Sequence, residues 1–291
     1  MPAPVLVPTL AAIPYGPDPR QVLDFYKAGS DTPTPVLFWI HGGGWVSGVR
    51  ANPTGAAECL AAGISVVSIS YRFVTHAIVA GAEPPVEWPL RDAARALQFV
   101  RSKAGEWNLD KTRIAASGGS AGACSSLWLA FHDDMADPAS DDPVLRESTR
   151  LTCAAVIGAQ TTLDPAQMKE WTPNSRYGGH AFGFMPDPND NKTRDTMFAE
   201  CLAAREKILP WIQEYSPYAH VSAEDPPIFM IYSAAPAIGQ EQRDPTHSAN
   251  FGVKLQERLT VVGVESELVY PGAPTTTHVL AAAFLIAKLK K

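Results

Sequence analysis

Short apolar runs alternate with longer segments of helical period along most of this chain. Val36-Leu37-Phe38-Trp39-Ile40 is a continuous apolar run between Pro35 and the glycines after His41, which predicts a strand buried on both faces. Ile64 to Tyr71 is rich in β-branched residues and predicts a second strand. From Pro89 to Lys103 the apolar positions Leu90, Ala93, Ala94, Leu97 and Val100 recur at intervals of three and four, so this stretch predicts a helix. Further strands are expected at Arg113–Ser117, Cys153–Gly158, Ile228–Tyr232 and Glu265–Tyr270. Helices are expected at Ala123–Ala130, at Asn250–Thr260 with Gly263 as C-cap, and at His278–Leu289. Strand and helix in alternation mean a mostly parallel sheet with helices on both faces.

The rhythm breaks between Pro165 and Pro227. That stretch is rich in proline, glycine and aromatic residues, and it predicts a loop-rich cap or pocket insertion within one 291-residue domain. Most of its aromatics are expected to hold the insertion onto the domain, with Trp171 to Phe184 placed nearest a ligand. Trp45, Trp171, Tyr177, Phe182 and Phe184 are the candidate pocket residues.

Composition narrows the possibilities further. Apolar residues make up 46% of the 291 positions and charged residues 19%, an ordinary globular balance. The net charge of −6 argues against a nucleic-acid surface, which is normally basic. No run reaches the roughly 18 apolar residues of a membrane span. The start, Met1 to Pro8, lacks a positive n-region and an unbroken apolar h-region, so the expected location is cytoplasmic, or secreted or periplasmic if a leader has been removed. Cys59, Cys124, Cys153 and Cys201 are widely spaced with no Cys-x-x-Cys pair, and they predict buried free thiols. The acidic stretch around Asp133 to Asp142 lacks the ligand ladder of a calcium loop and reads as a solvated surface. Neither cofactor nor metal is implied, and oligomeric state is not legible.

The chemistry is concentrated in two glycine motifs. Gly118-Gly119-Ser120-Ala121-Gly122 lies between a predicted strand and a predicted helix, the setting in which Gly-x-Ser-x-Gly makes a sharp turn that lifts a serine above a sheet. Upstream, His41-Gly42-Gly43-Gly44-Trp45 follows the Val36–Ile40 strand. Consecutive glycines let neighbouring N–H groups converge on one acceptor, as the oxyanion of an acyl-transfer intermediate requires. With Ser120 as nucleophile, the chain order nucleophile, acid, base calls for a histidine after the last strand, and His278 is there. His76, His132, His180, His220 and His247 all precede that strand.

These motifs resemble the α/β-hydrolase fold, and within it the esterase and lipase branch with His-Gly-Gly-Gly, including hormone-sensitive-lipase-like and bacterial feruloyl-esterase-like enzymes. The resemblance runs from about Ile13 to the final helix. It implies a serine carboxylic-ester hydrolase working through an acyl-enzyme on small to medium esters, with Gly43, Gly44 and Ala121 as oxyanion donors. The sequence departs from the family at the acid, where Ser233-Ala234-Ala235-Pro236 stands in place of Gly-x-x-Asp after the Ile228–Tyr232 strand. Asp244, in Asp244-Pro245, matches the register counted back from the following helix and is the favoured acid. Asp164, in Asp164-Pro165, is its rival, and either Asp-Pro could equally be a turn or a helix cap. An amidase, peptidase or formamidase on the same triad, or a non-catalytic binding protein on a hydrolase scaffold, are the competing readings.

Overall fold

A computed structural model describes residues 6–190 and 192–291. The start Met1–Val5, on which the reading of the leader partly rests, lies outside them. The strands are β1 (Leu10–Pro14), β2 (Val22–Tyr26), β3 (Thr34–Ile40), β4 (Ser65–Ile69), β5 (Leu109–Gly119), β6 (Cys153–Ile157), β7 (Ile228–Ile231) and β8 (Ser266–Val269). They form one eight-stranded sheet in the order β1-β2-β4-β3-β5-β6-β7-β8. β1 and β2 pair antiparallel with their neighbours, and every pair from β4 to β8 is parallel. This is the α/β-hydrolase sheet.

β3 is buried at all seven positions and β4 at all five, as expected of strands covered on both faces. The sequence pattern did not anticipate β1 or β2. The polar Asp24 interrupts the apolar alternation of β2, yet it is 8% exposed because Arg50 Nε and the Ala12 amide donate to Oδ1 at 2.7 and 2.8 Å. A buried carboxylate is tolerated only with such partners.

The helices are α1 (Ala56–Ala61), α2 (Val74–Val79), α3 (Glu87–Ser102), α4 (Ala104–Trp107), α5 (Ala121–Phe131), α6 (Pro165–Trp171), α7 (Lys192–Ala203), α8 (Leu209–Tyr215), α9 (Pro217–His220), α10 (Ala249–Val262) and α11 (Ala281–Leu289). α5 is buried at all eleven positions, which explains why its sequence is apolar or small all round. α10 ends at Gly263, whose φ of 81° is the left-handed cap a glycine adopts without strain. No helix among the described residues is long and apolar enough to cross a membrane. The four cysteines are buried free thiols, and burial pushes each thiol pKa up, out of the reactive range.

Between β6 and β7 the chain builds α6, a 3-10 turn at Gly179–Phe182, α7, α8 and α9. Met168, Trp171, Tyr177, Phe182, Phe198, Ile212 and Tyr215 belong to the same apolar core as α3, α5 and the sheet. α11 starts three residues later than its periodicity suggests, because His278 and its neighbours stay in the loop after β8.

Candidate active site

Ser120 stands between β5 and α5 with φ 54° and ψ −122°, a strained conformation for a residue with a side chain. The surroundings impose it. A Cβ on Gly118 would lie 2.5 Å from the Ile40 carbonyl oxygen, and one on Gly122 would collide with the Ile40 and His41 carbonyls. The end of β3 therefore presses against the turn from below, and only glycine fits at positions 118 and 122, two residues to either side of the serine. The Ser120 amide donates to the Ile157 carbonyl at 3.0 Å, tying the turn to β6.

The group facing Ser120 Oγ is His247 Nε2, at 3.0 Å. His247 Nδ1 lies 2.8 Å from Asp244 Oδ2, and the His247 and Thr246 amides donate to Asp244 Oδ1, each at 3.2 Å. A carboxylate beside Nδ1 fixes the neutral tautomer with its proton there, so Nε2 is left as an acceptor for the serine hydroxyl. Partial burial pushes the Asp244 pKa up. The hydrogen bond and charge of His247, with the two amides, outweigh that and hold it below the usual carboxylate range.

Both residues sit in the loop between β7 and α10, and polar side chains fix its path. Gln160 Nε2 donates to the Thr246 carbonyl at 2.6 Å. Asn174 exchanges two hydrogen bonds with the Gln242 backbone at 2.8 and 3.0 Å. The buried Asn250 accepts from the Ala237 amide at 2.8 Å and donates to the Trp171 carbonyl at 2.7 Å. Gly158, at φ 58°, approaches the His247 ring so closely that an added Cβ would stand 3.4 Å from it.

The glycine loop lies on the other side of Ser120. His41 is buried, its ring stacked on Tyr71 at 4.2 Å, and its Nδ1 lies 2.7 Å from the Gly42 carbonyl. Burial lowers the His41 pKa to about 4, so the ring is neutral and donates to that carbonyl. Gly43 and Gly44 have φ of 95° and 60°, and the Gly43 carbonyl accepts from the Val46 and Ser47 amides in a tight turn. Among the described residues the amides of Gly43, Gly44 and Ala121 donate to no protein acceptor.

Ser120, Asp244 and His247 open into a cavity of about 730 Å³. Its walls include Trp39, Ile157, Tyr232, Leu280 and Leu285. A second cavity of about 540 Å³ begins at Gly44 and is walled by the insertion, with Tyr177, His180, Phe184, Met185 and Phe198.

The likeness to known proteins agrees with this architecture. The BD-FAE family matches residues 23–244, about three quarters of the chain. The chain belongs to the BD-FAE family. Among curated relatives, esterase LipC of Mycobacterium tuberculosis is 35% identical over 155 residues, which is 50% of this chain and 34% of LipC. Gut esterase 1 of Caenorhabditis elegans is 33% identical over 141 residues, 46% of this chain and 25% of that protein. The chain thus spans about a quarter to a third of the length of these relatives. Among solved structures, a truncated carbohydrate esterase from gut microbiota superposes with a TM-score of 0.67 at 18% identity, covering 97% of this chain and 96% of that one. Esterase 2 of Thermogutta terrifontis gives 0.61 at 21% identity, covering 91% and 84%.

Within this BD-FAE chain the sequence-based site needs one central correction. His278, the expected base, does not meet Ser120. Its Nδ1 lies 2.8 Å from Glu267 Oε1 and its amide donates to Glu267 Oε2 at 2.7 Å, so a carboxylate on β8 holds both the ring and the backbone. Chain order could not reveal this, because Glu267 reads as one polar position in a short strand. The histidine that does meet Ser120 is His247, which the sequence reading passed over. Its signal was present in Asp244-Pro245-Thr246-His247, where three-residue spacing lets one loop carry both a carboxylate and an imidazole. Asp164 meets no histidine. It caps α6 through the Ala166 amide at 2.9 Å and binds Arg205 through both oxygens at 2.8 and 2.7 Å.

The aromatic candidates divide. Tyr177 and Phe184 line the second cavity. Trp45 is fully buried, with Nε1 donating to Ser125 Oγ at 3.0 Å beneath the first turn of α5, so it supports the glycine loop from inside. Trp171 packs edge-on against Tyr218 and Phe251, and Phe182 stacks on Trp211. These three are buried core residues and line neither cavity, because their rings are packed against α5, α8, α9 and α10.

Proposed function

We propose that this protein is a serine carboxylic-ester hydrolase in which Ser120 is the nucleophile, His247 the general base and Asp244 the group that orients it. The observation that carries the reading is the unbroken line from Ser120 Oγ to His247 Nε2 at 3.0 Å and from His247 Nδ1 to Asp244 at 2.8 Å, at the mouth of a cavity. Kinship with esterases supports the same chemistry.

His247 Nε2 takes the hydroxyl proton as Ser120 Oγ attacks the ester carbonyl carbon. The carbonyl oxygen becomes an oxyanion, and the free amides of Gly43, Gly44 and Ala121 receive it; each such donor is worth roughly 3 kcal/mol in the transition state. As the C–O bond breaks, the His247 imidazolium returns its proton to the departing alcohol. Water then attacks the acyl-serine by the same route, the carboxylic acid leaves, and Ser120 regains its proton. The cavities on the two sides of the glycine loop suit the two halves of a small to medium ester. The insertion forms the wall that selects one half, with Tyr177 and Phe184 in contact with it.

The test is hydrolysis of p-nitrophenyl acetate, butyrate and octanoate by the purified protein, beside the matching p-nitroanilides. Turnover of esters well above anilides, abolished in Ser120→Ala, is the expected result. Absence of turnover across all the esters, or activity that survives Ser120→Ala, overturns the proposal.

A further inference from the structure

A second cluster of reactive side chains lies far from Ser120, at the opposite end of α5. That helix has eleven residues, so its C-terminus is about 16 Å from the nucleophile turn. His132 is its C-cap, and Glu214 and His220 come from α8 and α9 of the insertion. One ligating atom from each of the three lies within 4.8 Å of the other two. The imidazole rings are 4.8 Å apart, centre to centre, and all three residues are partly buried.

The hydrogen bonds around the cluster fix which atoms are available. His132 Nδ1 lies 2.9 Å from the Asp133 carbonyl, which can only accept, so Nδ1 carries the proton and neutral His132 presents a bare lone pair at Nε2. That lone pair faces Glu214 Oε1 at 3.3 Å. Acceptor against acceptor is unfavourable unless a cation or a proton sits between them. His220 Nε2 lies 2.7 Å from the Glu214 carbonyl, so it too must donate, and Nδ1 is left bare. Outer partners of this kind, a backbone carbonyl on the far nitrogen of each histidine, are the usual support of metal-bound imidazoles.

From this donor set we infer a binding site for a divalent transition metal of the zinc class, formed by His132 Nε2, the His220 imidazole and the Glu214 carboxylate. Two histidines and one carboxylate are a preferred set for Zn²⁺, and ligand atoms about 3.3 Å apart make the edge of a tetrahedron with bonds near 2.05 Å. The separation of His132 Nε2 and Glu214 Oε1 already has that value. The carbonyl end of α5 adds negative potential where the ion would sit. Arg91 Nη2 donates to Glu214 Oε1 at 2.8 Å and serves as the outer donor to the carboxylate, whose Oε2 has no protein hydrogen bond among the described residues. Water completes the fourth position. The ion acts as a clip between the helix that begins at Ser120 and the α8–α9 part of the insertion. The sequence shows no metal spacing because its ligands come from positions 132, 214 and 220.

The test is titration of the EDTA-stripped full chain with Zn²⁺ by calorimetry, with Co²⁺ absorption as a second reading. One Zn²⁺ per chain with micromolar or tighter affinity is expected, with a rise of a few degrees in Tm that EDTA reverses. His132→Asn and His220→Asn should each weaken binding at least tenfold, and Co²⁺ should give d–d bands of a four- or five-coordinate nitrogen and oxygen site. Ser120→Ala and His247→Ala should bind like the unaltered chain, so failure of the esterase reading leaves this result untouched. No binding at 100 µM Zn²⁺, or binding unchanged in the His132→Asn/His220→Asn double variant, overturns the inference.

Discussion

Replacing His247 by alanine should separate the two candidate bases. The substitution removes the acceptor 3.0 Å from Ser120 Oγ and leaves Asp244 without its partner at 2.8 Å. Without a base the hydroxyl must lose its proton to water, and loss of one triad member lowers kcat by roughly 10⁴- to 10⁶-fold. At 1.36 kcal/mol per decade this is about 5–8 kcal/mol of lost transition-state stabilisation. KM should change little, because the base contributes only as the proton moves. His278→Ala removes a different contact. Glu267 is 9% exposed and would keep an uncompensated carboxylate, at a cost of roughly 1–3 kcal/mol in stability. For a chain of this size that lowers Tm by about 2–5 °C while kcat stays within about threefold. The assay is kcat and KM on p-nitrophenyl butyrate, with Tm by calorimetry and stoichiometric labelling of Ser120 by a fluorophosphonate read by mass spectrometry. Labelling should vanish in His247→Ala and persist in His278→Ala. A 10⁴-fold loss in His278→Ala, with His247→Ala within tenfold of the unaltered enzyme, would refute the reasoning.

Two further outcomes follow from the geometry. Asp164→Asn should lower Tm by roughly 3–5 °C, since it breaks a bidentate pair with Arg205 and a helix cap, together worth about 2–3 kcal/mol, while kcat stays near that of the unaltered enzyme; a kcat loss of 10³ or more would restore Asp164 as the triad acid. Acid should destabilise the fold in a defined window, because burial lowers both His41 and His180 from 6.5 to about 4. Between those values the unfolded chain binds more protons than the folded one, so stability falls as pH drops, by up to about 3 kcal/mol for each group. Urea unfolding at pH 7, 5.5 and 4.5 measures this, and a flat profile across that range would exclude it.

Much of the fold was legible because buried parallel strands must be apolar throughout and the helices over them must repeat at three and four. Val36–Ile40, Cys153–Gly158 and Ile228–Tyr232 fall within one residue or two of β3, β6 and β7. The antiparallel strand β2 escaped notice because Asp24 breaks its pattern, and partners distant in sequence, the Ala12 amide and Arg50, account for its burial. The aromatic residues of the insertion misled for a related reason. A tryptophan in a core and one in a pocket wall look alike until neighbours are known, and Trp45 and Trp171 are fully occupied by theirs.

The sequence by itself determined the turn that carries Ser120, since a serine forced to positive φ between strand and helix needs glycines around it wherever the motif occurs. It determined the glycine loop on similar grounds, because converging amides require backbone that only glycine adopts freely. The partner of Ser120 was decided by tertiary structure. Two histidines each lie within reach of a carboxylate, and the chain order of strands favours His278. Which of them meets the serine depends on where the β7–α10 and β8–α11 loops run in space. Gln160, Asn174 and Asn250 pin the first loop over Ser120, and Glu267 draws His278 onto the end of β8. A hydrogen bond about 3 Å long is a condition on distance, and distance between residues 127 positions apart is set only by packing.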